Sequence, residues 1–113
     1  ATLRRIAKYG DGWMMLAYPP DDTALPEFAK LRRYVQEQGR DPASVGIEIW
    51  VANADGTASE WRDEVRFWKQ AGVTHITLNG TFGRYFHRRL GKRSLADHLD
   101  VMRRYRDAVA DLL

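Results

Sequence analysis

Cysteine is absent from the 113 residues, which excludes both a disulfide framework and a thiolate metal centre. No apolar run approaches the ~20 residues that span a bilayer, and no secretory signal is read. The expectation is therefore a folded cytoplasmic protein with no membrane partner. Histidine is scarce: His75, His87 and His98 lie 12 and 11 positions apart, with no second ligand at the three- or four-residue spacing of a helical metal site. Neither a Ser-His-Asp arrangement nor a phosphate-cradling glycine loop is visible.

What is present is the composition of a globular domain. With 44% hydrophobic and 29% charged residues, the chain can build one core and is too short for two domains. The net charge of +3 is modest but unevenly spread. Arg84, His87, Arg88, Arg89, Lys92 and Arg93 crowd into one stretch, while the rest is close to balance.

Helices and strands alternate along the chain. Leu3, Ile6 and Ala7 share a helical face, Gly10 is expected to stop that helix in the left-handed region, and residues 13–17 read as a strand. After a Pro-rich turn, Asp22 is expected to cap a helix carrying Leu25, Phe28, Leu31 and Val35 and ending at Gly39. Pro42 prevents its continuation, and residues 47–51 are the second strand. Thr57 and Glu60 form a capping box for a helix presenting Trp61, Val65 and Trp68, which Gly72 closes. Residues 75–79 are the third strand and 80–93 a long loop. Ser94 and Asp97 open a final helix whose stripe is read as Leu95, Leu99, Met102, Val109 and Leu112.

Such alternation implies parallel strands joined by right-handed crossovers, an α/β fold. Ile47, Ile49 and Val51 share one face, and Glu48 and Trp50 the other. Ile76 and Leu78 likewise oppose His75, Thr77 and Asn79. A parallel sheet covered on both sides reads apolar throughout. One polar and aromatic face instead suits a barrel interior. Three strands cannot close a barrel that takes ~250 residues, so the reading is a partial (β/α) barrel, with a self-sufficient three-stranded domain as the alternative.

The segments AKYGDGW ending at Trp13, EQGRDPASVGIEI ending at Ile49 and SEWRDEVRFWKQAGVTHITLN ending at Asn79, followed by an amphipathic helix, resemble the C-terminal third of the luciferase-like monooxygenase family. The resemblance covers nearly the whole chain. It implies three strands and four helices matching the sixth, seventh and eighth strands of a (β/α)8 barrel. It also implies a flavoprotein oxidoreductase or monooxygenase using FMN or a deazaflavin coenzyme on a small organic substrate. The first five strands would supply much of the ring pocket, so the isolated chain is expected to be inactive. The alternative is a non-catalytic half-barrel that binds or dimerises.

In a barrel the site lies at the C-terminal ends of the strands. Trp50 offers a flat apolar wall to a ring, or simply fills the barrel. Asn79 can donate to a ligand carbonyl, or cap a turn. Arg84 and Arg88, with Arg89, Tyr85 and Phe86, can grip a phosphate or carboxylate. The same interleaving suits nucleic acid, though no recognised binding fold accompanies it, or a solvated lid. Thr2, if it opens a helix, stands where helix amides attract a cofactor phosphate, or is a plain cap. His75 is assigned to the interior and His98 to a helix surface. Asp11 precedes its strand, at the stability end, so it does not share acid-base work with Glu48. The open face and edges lead to the expectation of a homo-oligomer.

Overall fold

The computed structural model describes residues 1–15, 18–51, 53–80, 88–91 and 94–113. In chain order come α1 (Thr2–Tyr9), β1 (Gly12–Met15), α2 (Leu25–Glu37), β2 (Gly46–Val51), α3 (Ala58–Ala71), β3 (His75–Leu78) and α4 (Leu95–Val109). Short 3-10 turns fall at Asp22–Ala24, Pro42–Ser44 and Ala110–Leu112. The strands form one open parallel sheet in the order β1-β2-β3. The fold is thus α/β, with three parallel strands and four α-helices among the described residues. Of these helices, none is long and apolar enough to cross a membrane.

Strand alternation sorts the two faces of the sheet. Trp13 pairs with Ile47, and Met15 with Ile49, which in turn meets Ile76. That side joins Ala7, Phe28, Leu31, Val35, Trp61, Val65, Trp68, Val101, Tyr105 and Val109 in one hydrophobic cluster to which all four helices contribute. On the other side Met14 pairs with Glu48, Glu48 with His75, and Trp50 with Thr77. Those residues are exposed or half-buried. The Thr77 hydroxyl donates to Glu48 Oε1 at 2.8 Å, giving the open face a hydrogen-bonded polar pair beside Trp50.

Three local expectations need correction. Gly10 is not left-handed: its φ of −93° and ψ of 152° are extended. The position is tight: a Cβ would stand 3.1 Å from the Ile6 carbonyl, which accepts the Gly10 N–H at 2.8 Å. The cap before α2 is Asp21 rather than Asp22: Asp21 Oδ1 accepts the Thr23 N–H at 2.9 Å, starting the turn that leads into the helix. Most consequential, Leu95, Leu99 and Met102 of the expected α4 stripe are 75%, 40% and 58% exposed, whereas its Val109 is buried and its Leu112 packs against the core; Val101 and Tyr105 are buried in place of the first three. Both sets obey helical spacing. The apolar arc of α4 is wider than the side facing the sheet and α3, so only part of it is covered. The capping boxes at Thr57–Glu60 and Ser94–Asp97 form as expected.

Three arginines fasten helix ends that the backbone leaves unsatisfied. Arg40 donates to the Ala7 carbonyl at the end of α1, Arg32 to the Ala71 carbonyl at the end of α3, both at 2.9 Å, and Arg62 to the Ala108 carbonyl of α4 at 2.6 Å. In every case the donor lies outside the helix it caps. Arg62 also forks onto Asp111 at 2.5 and 2.8 Å. This pairing lowers the Asp111 carboxyl from its ordinary 3.8 to about 2. A carboxyl lowered on folding contributes stability above its unfolded value, and that stability is lost as pH falls through the folded one. Asp111→Asn is therefore expected to flatten the decline of stability between about pH 4 and pH 2. Urea denaturation at stepped pH checks this; profiles that stay parallel to wild type would remove Asp111 from the acid response.

Candidate functional site

The C-terminal strand ends are where backbone amides, loop side chains and the open face converge. Beyond β3, the Asn79 N–H donates to the Val51 carbonyl at 2.8 Å, which carries the ladder past the strand and fixes Asn79 beside the end of β2. Trp50, Thr77, Leu78, Asn79, Gly80, His98, Val101 and Met102 line a groove of about 270 Å³ there. Its character is mixed. The indole of Trp50 and the thioether of Met102 are apolar surfaces, whereas Asn79, Thr77 and His98 bring hydrogen-bonding groups.

His98 is the residue that sequence reasoning placed wrongly. It is half-buried and lines the groove rather than lying on the helix surface. Taking Val101, Tyr105 and Val109 as the buried side of α4 sets His98 one turn before Val101, within that side. Choosing Leu95, Leu99 and Met102 as the stripe hid this.

The basic stretch acts differently at Arg88, which with the exposed Arg89 is described. Arg88 Nε donates to Asn53 Oδ1 at 2.7 Å, and Arg88 Nη2 meets Glu60 Oε1 at 3.1 Å. Its backbone bridges in parallel to Asn53, with the Ala54 N–H donating to the Arg88 carbonyl at 3.2 Å. Glu60 is simultaneously the capping-box carboxylate of α3. The Thr57 backbone N–H, the Thr57 side chain and Arg88 together hold its carboxyl below the usual range. Arg88 thus ties the loop after β3 to the start of α3, and its charge is met by Glu60. Arg84, with Tyr85, Phe86, His87, Lys92 and Arg93, lies outside the described residues.

Thr2 opens α1 and is exposed, with no acidic residue in that first turn. It does not line the groove that unites Trp50 and Asn79. Glu48 and His75 lie towards the opposite end of the open face, in a cleft of about 310 Å³ that Asp11 also lines. Among the described residues no group of three or more His, Asp or Glu side chains could hold a metal ion.

Arg88 already has an anionic partner in Glu60 and does not line this groove. Comparison with protein-family models, with curated proteins and with solved structures gave no match to this chain.

Proposed function

We propose that this chain is the C-terminal segment of a flavin- or deazaflavin-dependent oxidoreductase with a luciferase-like (β/α)8 barrel, acting on a small organic substrate. One observation supports the reading above all: a parallel sheet with one face buried in the core and the other bearing Glu48, Trp50 and Thr77, with a groove at its C-terminal end. An inward-facing barrel wall has this division. When bound in its reduced form, the coenzyme supplies a hydride or activates oxygen. The chain's own part is to give Trp50 as a flat wall, Asn79 as a hydrogen-bonding side chain and, at the first turn of α1, the amides and hydroxyl around Thr2 for the phosphate end. Arg88 is assigned to the rim, where it keeps the loop docked on α3.

The 113-residue chain alone is expected to bind FMN or a deazaflavin no tighter than about 100 μM, or about −5.5 kcal/mol, because further strands complete the pocket. The weak binding should disappear in Trp50→Ala. Quenching of tryptophan fluorescence during titration measures both. Sub-micromolar binding would overturn the segment reading, and binding indifferent to Trp50 would remove the groove from it.

A second reading, a non-catalytic half-barrel that associates with its own copies, is favoured by the exposure of Leu95, Leu99 and Met102 beside a sheet whose margins are β1 and β3. Strand edges and apolar flanks of this kind draw partners.

A further inference from the structure

We infer that the hollow between α2 and α3, on the helical side of the sheet, is a binding site for a small carboxylic acid with an apolar body, its carboxylate gripped by Arg32. The inference goes beyond the oxidoreductase reading and does not depend on it. The helices sit in two pairs, α1 on α2 and α3 on α4. Between the pairs lies a hollow of about 400 Å³. Two buried rings hold the pairs apart: Phe28 of α2 and Trp68 of α3 stand with their centroids 6.3 Å from one another. Phe28 forms the floor, while Leu25, Phe67 and Ala71, each half-buried, form apolar walls. α2 leads into β2 and α3 leads out of it, and β2 is the middle strand. Strands added at β1 or β3 would therefore leave this hollow uncovered.

Charge at the two ends gives the occupant. Arg32 lines one end and Asp22 the other, about 15 Å apart along the helix by the rise of ten residues. Arg32 Nη2 donates to the Ala71 carbonyl at 2.9 Å, which fixes the guanidinium across the gap. Gly72 makes room for it: a Cβ there would overlap Arg32 Nη2, and a φ of 87° favours glycine for a separate reason. Arg33 beside it pairs with Glu37, and Arg40 with Asp11, but among the described residues Arg32 has no carboxylate within ion-pair distance. A guanidinium carries five N–H donors in a planar fork. With one engaged on Ala71, the remainder can take a carboxylate in two-pronged fashion. Gln70, exposed at the same rim, adds an amide donor. Asp22 repels an anion from the far mouth, so the acid group is directed to Arg32 and the apolar body lies towards Leu25 and Phe67.

Naphthoate is the probe, and naphthalenemethanol, with the same rings and no charge, is its control. Amide NMR titration of the whole chain is expected to show saturable shifts at Gln70, Ala71 and Gly72, with a dissociation constant of about 1 mM or below, and none at Asn79 or His98. The alcohol should bind about tenfold more weakly, as befits loss of a charge-assisted contact. Arg32→Gln should bring naphthoate down to the level of the alcohol. Because that change also removes the link to Ala71, Gln70 supplies a separate pair of variants at an exposed position that leaves the core intact. Gln70→Lys should tighten naphthoate several-fold and Gln70→Glu should weaken it, with the alcohol unmoved by either. Absence of saturable shifts up to about 5 mM would overturn the inference. So would equal affinity for acid and alcohol, which leaves the hollow without an anion site, and so would shifts confined to Asn79 and His98, which place the acid in the groove at the strand ends.

Discussion

Trp68→Ala is expected to destabilise the protein by about 3 to 5 kcal/mol, the range for truncating a buried aromatic side chain. The indole is 0% exposed and sits where α3 meets α2: its ring centroid lies 6.3 Å from that of Phe28 and 4.9 Å from that of Phe67. Through Phe28 the contact extends to Trp13 of β1, at 6.0 Å. Removing it opens a hole between two helices and the sheet, and rigid neighbours on three elements cannot collapse into that hole without moving β1 or α2. It also deprives Glu64 of the indole N–H, which donates to its Oε1 at 3.4 Å. Burial already raises the Glu64 carboxyl above its ordinary value, so losing a donor worsens an unfavourable position. Chemical denaturation of wild type and variant decides the matter. A loss below about 1 kcal/mol would take Trp68 out of the core account.

The other large effect is expected from the smallest possible change, Gly56→Ala. A Cβ there would stand 2.7 Å from Asn53 Nδ2, 2.7 Å from Trp61 Nε1 and 2.8 Å from Asn53 Cγ. These atoms are poorly able to give way. Trp61 Nε1 is held by donation to the Asn53 carbonyl at 2.6 Å, and the Asn53 side chain is engaged by Arg88. Overpacking of this kind costs about 1 to 3 kcal/mol. Relief by displacing Asn53 would release Arg88, so the variant should also expose the loop after β3 to proteolysis. Thermal unfolding and limited trypsin digestion, compared with Gly39→Ala, test it. Gly39 has open space around its Cβ position, and its φ of 70° supplies the conformational cost without the collision. A loss in Gly56→Ala below about 0.5 kcal/mol would mean that crowding at Gly56 is relieved without cost.

The strand faces were legible because a period of two leaves no ambiguity once a strand is recognised: Ile47, Ile49 and Val51 turned inward together and Trp50 turned the other way. Both capping boxes were legible for a similar reason, since hydroxyl and carboxylate three residues apart bond locally whatever the tertiary setting. The face of α4 was not. Leu95, Leu99 and Met102 are more apolar than Val101 and Tyr105 as a set, and only the position of α3 and the sheet decides which set is covered with Val109. The same dependence hid His98, whose entry into the groove follows from the rotation of α4. Trp50 and Asn79 were brought together by strand alternation alone. Arg88 was recognised as a basic side chain, but its partners Asn53 and Glu60 lie 35 and 28 residues away in sequence, a distance at which spacing carries no information.

The arginines that reach across to the ends of α1, α3 and α4 have a consequence for how the molecule opens. Ordinarily the last turn of a helix frays by itself, at almost no free energy, because nothing outside the helix notices. Here the terminal carbonyls of Ala7, Ala71 and Ala108 are held by Arg40, Arg32 and Arg62 from other elements. Fraying at any of these ends must also free a side chain anchored elsewhere. Arg32 links α2 to α3, Arg62 links α3 to α4, and Arg40 links the segment after α2 back to α1. The helical layer is thereby laced in sequence, so loosening one helix end also frees a side chain of its neighbour.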